Sequence, residues 1–160
     1  MILVTGGAGF IGSNLVDELL ENGYEVKVLD NLTTGKIENL NYAKKFGNKF
    51  KFYNQDLRNF DKEILKDVEY IFHLAAQIDV RKSVENPQYD VDVNVVGSIN
   101  LIQKAIDSNV KKIIFASSGG AIYGEPEILP ADENTRIKPL SPYGASKFSV
   151  ECYLHSFYKI

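Results

Sequence analysis

An α/β fold built on a doubly wound, mainly parallel sheet is predicted by three features of the sequence. Short apolar runs rich in β-branched and aromatic residues alternate with longer amphipathic stretches, as strands covered on both faces by helices require. A cluster of glycines separates the first apolar run from the first amphipathic stretch. The 160 residues are 44% hydrophobic and 24% charged, the balance of one globular domain. A chain of this length buries roughly 70% of the surface it exposes when unfolded, enough for a core without disulfide or metal support.

In chain order, the first strand is expected at Met1 to Thr5. A helix follows in which Ile11, Leu15 and Leu19 recur every four residues and mark one buried face, stopped by Asn22-Gly23. Further strands are expected at Glu25 to Leu29, Phe50 to Asn54 and Tyr70 to His73. A longer helix from about Pro87 to Ser108, carrying Leu101, Ile102, Ala105 and Ile106, crosses to a fifth strand at Lys112 to Ser117. Pro126, Pro130 and Pro139 make the stretch from Gly124 to Leu140 an irregular surface loop. Ser141-Pro142 reads as an N-cap and first helical position, opening a final helix that runs toward Ile160. The implied strand order is 3-2-1-4-5, without the usual sixth strand. That missing neighbour is expected to leave apolar surface on the fifth strand and final helix, a face through which the isolated chain would associate.

Charge and composition exclude several classes of function. A net charge of -3 leaves no basic excess with which to follow the phosphates of a nucleic acid. Cys152 is the single cysteine, and His73 and His155 are the only histidines. Neither an internal disulfide nor a metal cluster can be assembled, and a reducing cytoplasm fits. No run of about 18 apolar residues and no basic leader region points to a membrane span or signal peptide. Lys44-Lys45 and Lys111-Lys112 read as solvated helix and strand edges.

The strongest chemical signal is Val4-Thr5-Gly6-Gly7-Ala8-Gly9-Phe10-Ile11-Gly12. Gly7, Gly9 and Gly12 satisfy G-x-G-x-x-G between an expected strand and an expected helix, the context in which backbone approaches a pyrophosphate at a helix N-terminus. This is the fingerprint of a Rossmann-type domain. Asp30 ends the second strand 18 positions past Gly12, where a carboxylate accepts hydrogen bonds from an adenosine ribose and points to NAD. A 2'-phosphate would need a cation there, and the residues that follow are Asn31, Leu32, Thr33 and Thr34, with Lys36 close behind in sequence. Tyr143 and Lys147 are four residues apart at the start of the final helix, so phenol and ammonium share a face. A nearby cation stabilises a phenolate, a tenfold change in proton affinity being worth about 1.4 kcal/mol. Ser117 and Ser118 fall at the end of the fifth strand, at the edge where ligands of open α/β sheets bind. A hydroxyl there bonds either a reacting oxygen or the local turn. His73 reads as structural.

Together these residues resemble the extended short-chain dehydrogenase/reductase family, in its nucleotide-sugar epimerase branch. The similarity spans essentially the whole chain. Besides the motifs above it includes Leu29-Asp30-Asn31-Leu32, Asp56-Leu57-Arg58, His73-Leu74-Ala75-Ala76, Asn94-Val95-Val96-Gly97, Tyr123-Gly124 and Ser141-Pro142-Tyr143-Gly144-Ala145-Ser146-Lys147. The resemblance implies that Gly6, Gly9, Phe10, Ile11, Gly12, Asp30 and Asn31 bind NAD. It implies further that Asp56 and Leu57 bracket the adenine and that Leu74, Ala75, Ala76, Gln77 and Asn94 line the cofactor.

The activity implied is 4-epimerisation of a UDP-sugar of the glucose/galactose type through a transient 4-keto sugar. Tyr143 would take the proton of the 4-hydroxyl while hydride passes from C4 to NAD, Lys147 would hold the nicotinamide ribose, and Ser118 would steady the reacting oxygen. Two departures stand out. The position at which many epimerases carry the catalytic Ser or Thr falls on Gly119. The chain also stops after the Tyr-Lys helix, so it resembles an N-terminal, incomplete NAD-binding domain without the C-terminal substrate-binding domain, part of a protein expected to be a homodimer at full length. A related reading is a cofactor-binding module without turnover. UDP-N-acetylglucosamine and UDP-glucuronate 4-epimerases and UDP-glucuronate decarboxylases share nearly all these motifs. A 4,6-dehydratase would carry acidic residues after the fifth strand, where Ser118-Gly119-Gly120 offers none.

Overall fold

Five four-residue strands, β1 (Ile2–Thr5), β2 (Val26–Leu29), β3 (Phe50–Tyr53), β4 (Tyr70–His73) and β5 (Lys112–Phe115), form the sheet of this computed structural model, which describes residues 1–159. All pairs are parallel, and the order is β3-β2-β1-β4-β5, as the sequence implies. Each strand lies within two residues of its expected bounds. The register sets Thr5 beside Leu29 and His73, Leu29 beside Tyr53, and His73 beside Phe115. All five strands therefore end level, and their outgoing loops share one edge.

Two compact units are present: residues 1–76 with 100–116, and residues 77–99 with 117–159. The first contains the sheet. Alternation along β1 sends Ile2 and Val4 to one face, where they pack with Val16, Leu20, Val26, Val28, Leu40 and Ala43. Leu3 faces the other way, with Leu29, Phe60, Leu65, Ile71, Leu101 and Ala105. Covering both faces is why the strands read as unbroken apolar runs.

Helix α1 (Phe10–Glu21) buries Gly12, Ser13, Val16 and Leu20. This corrects the expected Ile11, Leu15 and Leu19 face: Ile11 is 68% exposed, and the two leucines are half-buried flanks. The helix starts directly from the glycine turn. Gly12, and not Ile11, is the residue pressed against that turn, so the phase of the helix follows from Gly12. The Asn22-Gly23 stop is present, with Gly23 at φ +86° and its N–H donated to the Leu20 carbonyl.

The long helix expected at 87–108 is present as one continuous helical run over 87–106, with a π turn in its middle and helical backbone at both junctions. Helix α2 (Val80–Glu85) precedes it, and α3 (Pro87–Val91), a π turn (Asp92–Val96) and α4 (Gly97–Ile106) follow one another. Asp79 caps α2 through the N–H groups of Arg81 and Lys82, and Asn86 caps α3 through that of Tyr89. Leu101, Ile102 and Ala105 are buried, whereas Ile106 is 57% exposed. Beyond β5 a four-residue helix, α5 (Gly119–Ile122), leads into the irregular segment expected before the last helix. Ser141 then caps α6 (Pro142–Lys159), its Oγ accepting from the Gly144 N–H at 3.1 Å with Pro142 at the first position. A Cβ on Gly144 would lie 2.5 Å from the Ala121 carbonyl oxygen, so α5 packs on α6 at backbone distance. β5 is an edge strand whose Ile113, Ile114 and Phe115 are only half-buried, and Tyr158 of α6 is 81% exposed.

Lys27 is the unexpected member of the core. It lies on β2, 4% exposed, and its Nζ donates to the carbonyls of Ile64 at 2.9 Å and Lys66 at 2.6 Å. Burial lowers its pKa, with Lys51 adding to the effect. The ammonium thus closes the short 3-10 turn Lys62–Leu65 onto the sheet. Lys27→Met leaves two carbonyls without this donor and should destabilise the chain by about 1–3 kcal/mol in urea unfolding. Lys51→Met, at an exposed strand position, should change it by about 0.5 kcal/mol or less.

Candidate functional site

Thr5 ends β1 and fixes the glycine turn that follows. Its Oγ accepts from the N–H groups of Leu74 and Ala75, both at 3.2 Å, and lies 2.7 Å from His73 Nδ1. With two donors already on the oxygen, the Thr5 hydroxyl donates to His73, whose ring is 1% exposed and lies against Phe115. His73 is therefore structural, as read from the sequence. Gly6 has φ +70°, and a Cβ there would lie 2.7 Å from the Ala75 nitrogen. A Cβ on Gly12 would lie 2.3 Å from the Gly6 carbonyl oxygen. Both positions are closed to any side chain, and the first turn of α1 is drawn tight against the end of β1. That turn has no side-chain cap at Gly9 and no acidic residue, so its N–H groups are offered to an anion. Phe10 and Ile11, 84% and 68% exposed, flank this opening.

Asp30 follows β2, is 9% exposed and braces the same loop. One carboxylate oxygen accepts the Ala8 N–H at 3.0 Å and the other the Leu32 N–H at 2.8 Å. Each keeps a further lone pair for a ribose hydroxyl. After β3, Asp56 is gripped by Arg58 through Nε at 2.8 Å and Nη2 at 2.9 Å, and by Asn31 Nδ2 at 2.8 Å. The Arg58 guanidinium holds the Asp56 carboxyl well below the ordinary carboxylate range, with Asn31 adding to it against the opposing effect of burial. Leu57 is folded into the core at 7% exposure, and its carbonyl accepts from Asn100. Leu74, Ala75 and Ala76 are half-buried beside the Gly6 turn. A cradle that any Cβ would fill, an uncapped helix N-terminus and a carboxylate at the end of the second strand together fit a dinucleotide.

The second unit carries the remaining sequence-derived residues. Gln77 and Asn94 come together: Asn94 accepts the Gln77 N–H at 2.8 Å and donates to the Gln77 carbonyl at 3.0 Å. Asn94 sits in the π turn, where the widened helix turns its amide onto the Gln77 backbone. Tyr143 is half-buried, one turn before Lys147 on α6. Lys147 is 4% exposed, and burial lowers it from 10.5 to about 8, against the opposing pull of Glu151 and then Asp90. Ser117 donates its hydroxyl to Glu151. Ser118 precedes α5 with no side-chain bond to that helix. Of the two serines, Ser118 is thus the one not engaged by Glu151. The neighbouring Gly119 would accept a Cβ, whose nearest neighbour would be 4.0 Å away. Sequence reading missed Asp90 and gave no role to Ser146 and Arg58, which it met only as members of motifs. The i, i+4 spacing of Asp90 and Asn94 on a helix was the available signal for the first.

Parallel strands ending level beneath a glycine-closed helix N-terminus define a Rossmann-type α/β fold. The chain belongs to the family described as GDP-mannose 4,6 dehydratase, whose model matches residues 3–160. The relatives and solved structures that follow are epimerases by name. A UDP-glucose 4-epimerase of Mycolicibacterium smegmatis is 46% identical over 158 residues, covering 97% of this chain and 50% of its own length. Among solved structures, UDP-glucose 4-epimerase of Thermotoga maritima with UDP-glucose superposes with a TM-score of 0.89 at 48% identity, over 99% of this chain and 51% of that one. UDP-N-acetylglucosamine 4-epimerase of Methanobrevibacter ruminantium, in complex with UDP-N-acetylmuramic acid, gives 0.91 at 42% identity, over 99% and 50%. The UDP-glucose 4-epimerase of Thermus thermophilus in complex with NAD gives 0.86 at 46% identity, over 98% and 50%. The chain spans about half the length of the relatives it matches.

The depressed pKa of Lys147 makes stability depend on pH. The folded chain releases this proton near 8 and the unfolded chain near 10.5, so between those values the unfolded state binds more protons and stability rises with pH. Lys147→Met should remove that rise. The difference between the two pH–stability curves should reach on the order of 3 kcal/mol across the window, and parallel curves would contradict a buried ammonium.

Proposed function

We propose that this chain carries the NAD site and the catalytic base of a nucleotide-sugar 4-epimerase of the UDP-glucose/UDP-galactose type. The observation that carries the reading is Tyr143 placed one helical turn before a buried Lys147, in a chain whose family and relatives are those described above. NAD, when bound, supplies reversible acceptance of a hydride from the sugar carbon. Gly6, Gly9 and Gly12 would give it backbone access, Phe10 and Ile11 would flank it, and Asp30 and Asn31 would meet its adenosine ribose. Asp56 and the backbone of Leu57, whose side chain lies in the core, would bracket the adenine, and Leu74, Ala75, Ala76, Gln77 and Asn94 would line the remainder.

Tyr143 Oη takes the proton of the sugar 4-hydroxyl and later returns it. A phenol does this poorly near neutral pH unless a cation stabilises the phenolate. Lys147, with a pKa of about 8, is mostly charged at pH 7 and stands one turn away on the same helix. Ser118 is assigned the hydroxyl that steadies the reacting oxygen. The single cysteine, exposed and unpaired with any other, accords with a reducing compartment, and we place the protein in the cytoplasm. UDP-N-acetylglucosamine is the second substrate reading, supported by the similarity to the epimerase that bears that name.

The test is conversion of UDP-glucose to UDP-galactose in the presence of NAD, followed by chromatography, with UDP-N-acetylglucosamine run in parallel. Tyr143→Phe should lower the rate by about 100-fold or more while NAD affinity stays within about twofold. Loss of both together would mean that the tyrosine is structural.

A further inference from the structure

A buried polar cluster in the second unit centres on Asp90, a residue absent from the sequence-derived site. Asp90 is 0% exposed. One carboxylate oxygen accepts from Gln77 Nε2 at 2.9 Å and Asn94 Nδ2 at 3.0 Å, and the other from Ser146 Oγ at 2.6 Å. The donors come from three separate elements: the segment before α2, the π turn and α6. Gln77 is itself held by Asp79, through the Asp79 N–H and carbonyl, and its backbone is clamped by Asn94. A fully buried carboxylate is tolerated only with such donors or an opposite charge. Ser146, the α6 donor, immediately precedes Lys147 in sequence.

We propose that Asp90 is the positioning residue for Lys147: it pins the start of α6 through Ser146 and supplies a buried counter-charge that keeps the Lys147 ammonium protonated. Burial acts most strongly on Lys147 and disfavours the cation, while Glu151 of α6 and then Asp90 of α3 favour it. Elsewhere among the packed elements, α5 has no ionisable side chain, the π turn carries Asp92, and Arg81, Lys82 and Glu85 of α2 are exposed. Glu151 is part-exposed and is engaged by Ser117, so solvent and salt screen it more than they screen Asp90. The functional meaning rests on the reading of Lys147 as a cation that contacts the cofactor. The coupling between Asp90 and Lys147 does not.

The experiment is lysine NMR on this chain labelled with 13C at the ε carbons, with the Lys147 resonance assigned by its loss in Lys147→Arg. In the wild type it should titrate near pH 8. In Asp90→Asn, with folding checked by circular dichroism, the midpoint should fall by about 0.5 in pH or more, a threefold or greater loss of proton affinity. An unmoved midpoint overturns the proposal. Should Asp90→Asn fail to fold, Ser146→Ala removes only the α6 tether. A downward shift there supports the proposal, and none overturns it. NAD affinity across the same pH range provides the functional readout: it should weaken as Lys147 deprotonates, and at lower pH in Asp90→Asn. Wild-type affinity that ignores pH in this window would count against the cofactor role of Lys147, and the NMR comparison would still decide the role of Asp90.

Discussion

Gly6 lies so near β4 that a methyl group on its α-carbon would be 2.7 Å from the Ala75 nitrogen, and Gly12 so near Gly6 that the same group would be 2.3 Å from its carbonyl oxygen. These two contacts fix the end of β1, the end of β4 and the first turn of α1 as one backbone-to-backbone joint. Thr5 locks it from the sheet side with three hydrogen-bonding partners on one hydroxyl. Asp30 locks it from the β2 side through the Ala8 N–H. The joint is made of main chain, and the N–H groups of the first turn of α1 carry no side-chain cap. The level ends of the five strands then place the β2 and β3 loops, with Asp30, Asn31 and Asp56, along the same edge.

The second unit solves a different problem, that of burying charge. Lys147 and Asp90 are both nearly inaccessible to water, and neither state is cheap without the surrounding hydrogen bonds. The π turn is part of the solution, since a regular helix would carry Asn94 around by a different angle and away from the Gln77 backbone. An ammonium whose pKa is lowered to about 8 stays charged at neutral pH while being poorly solvated. Such a group interacts strongly with any phenolate or ribose oxygen brought to it.

Elements whose cause lies within a few residues were legible in the sequence. All five strands, the Asn22-Gly23 stop and the Ser141-Pro142 start follow from local pattern and capping, as does the G-x-G-x-x-G turn, and the strand order follows from the doubly wound topology those elements imply. The face of α1 was misread because a contact to Gly6, not the leucine spacing, sets its rotation. The crossover helix was legible from Pro87 onward, but the π turn within it had no local punctuation, and α2 is too short to show a period. Lys27 and Asp90 were invisible for another reason. The carbonyls that satisfy Lys27 belong to Ile64 and Lys66, and the hydroxyl that reaches Asp90 belongs to Ser146. A charge's burial is decided by partners that only the fold brings to it.

The claim that organises all of this is that the cradle formed by Gly6, Gly12 and Asp30 is a dinucleotide site selective for NAD. Calorimetric titration of the 160-residue chain with NAD and with NADP, under conditions where circular dichroism shows it folded, tests that claim most directly. The account predicts binding of NAD with an affinity at least about tenfold higher than for NADP, a difference of about 1.4 kcal/mol, because Asp30 accepts ribose hydroxyls and repels a 2'-phosphate. Equal affinity for the two, or no binding of either by a folded chain, would contradict it.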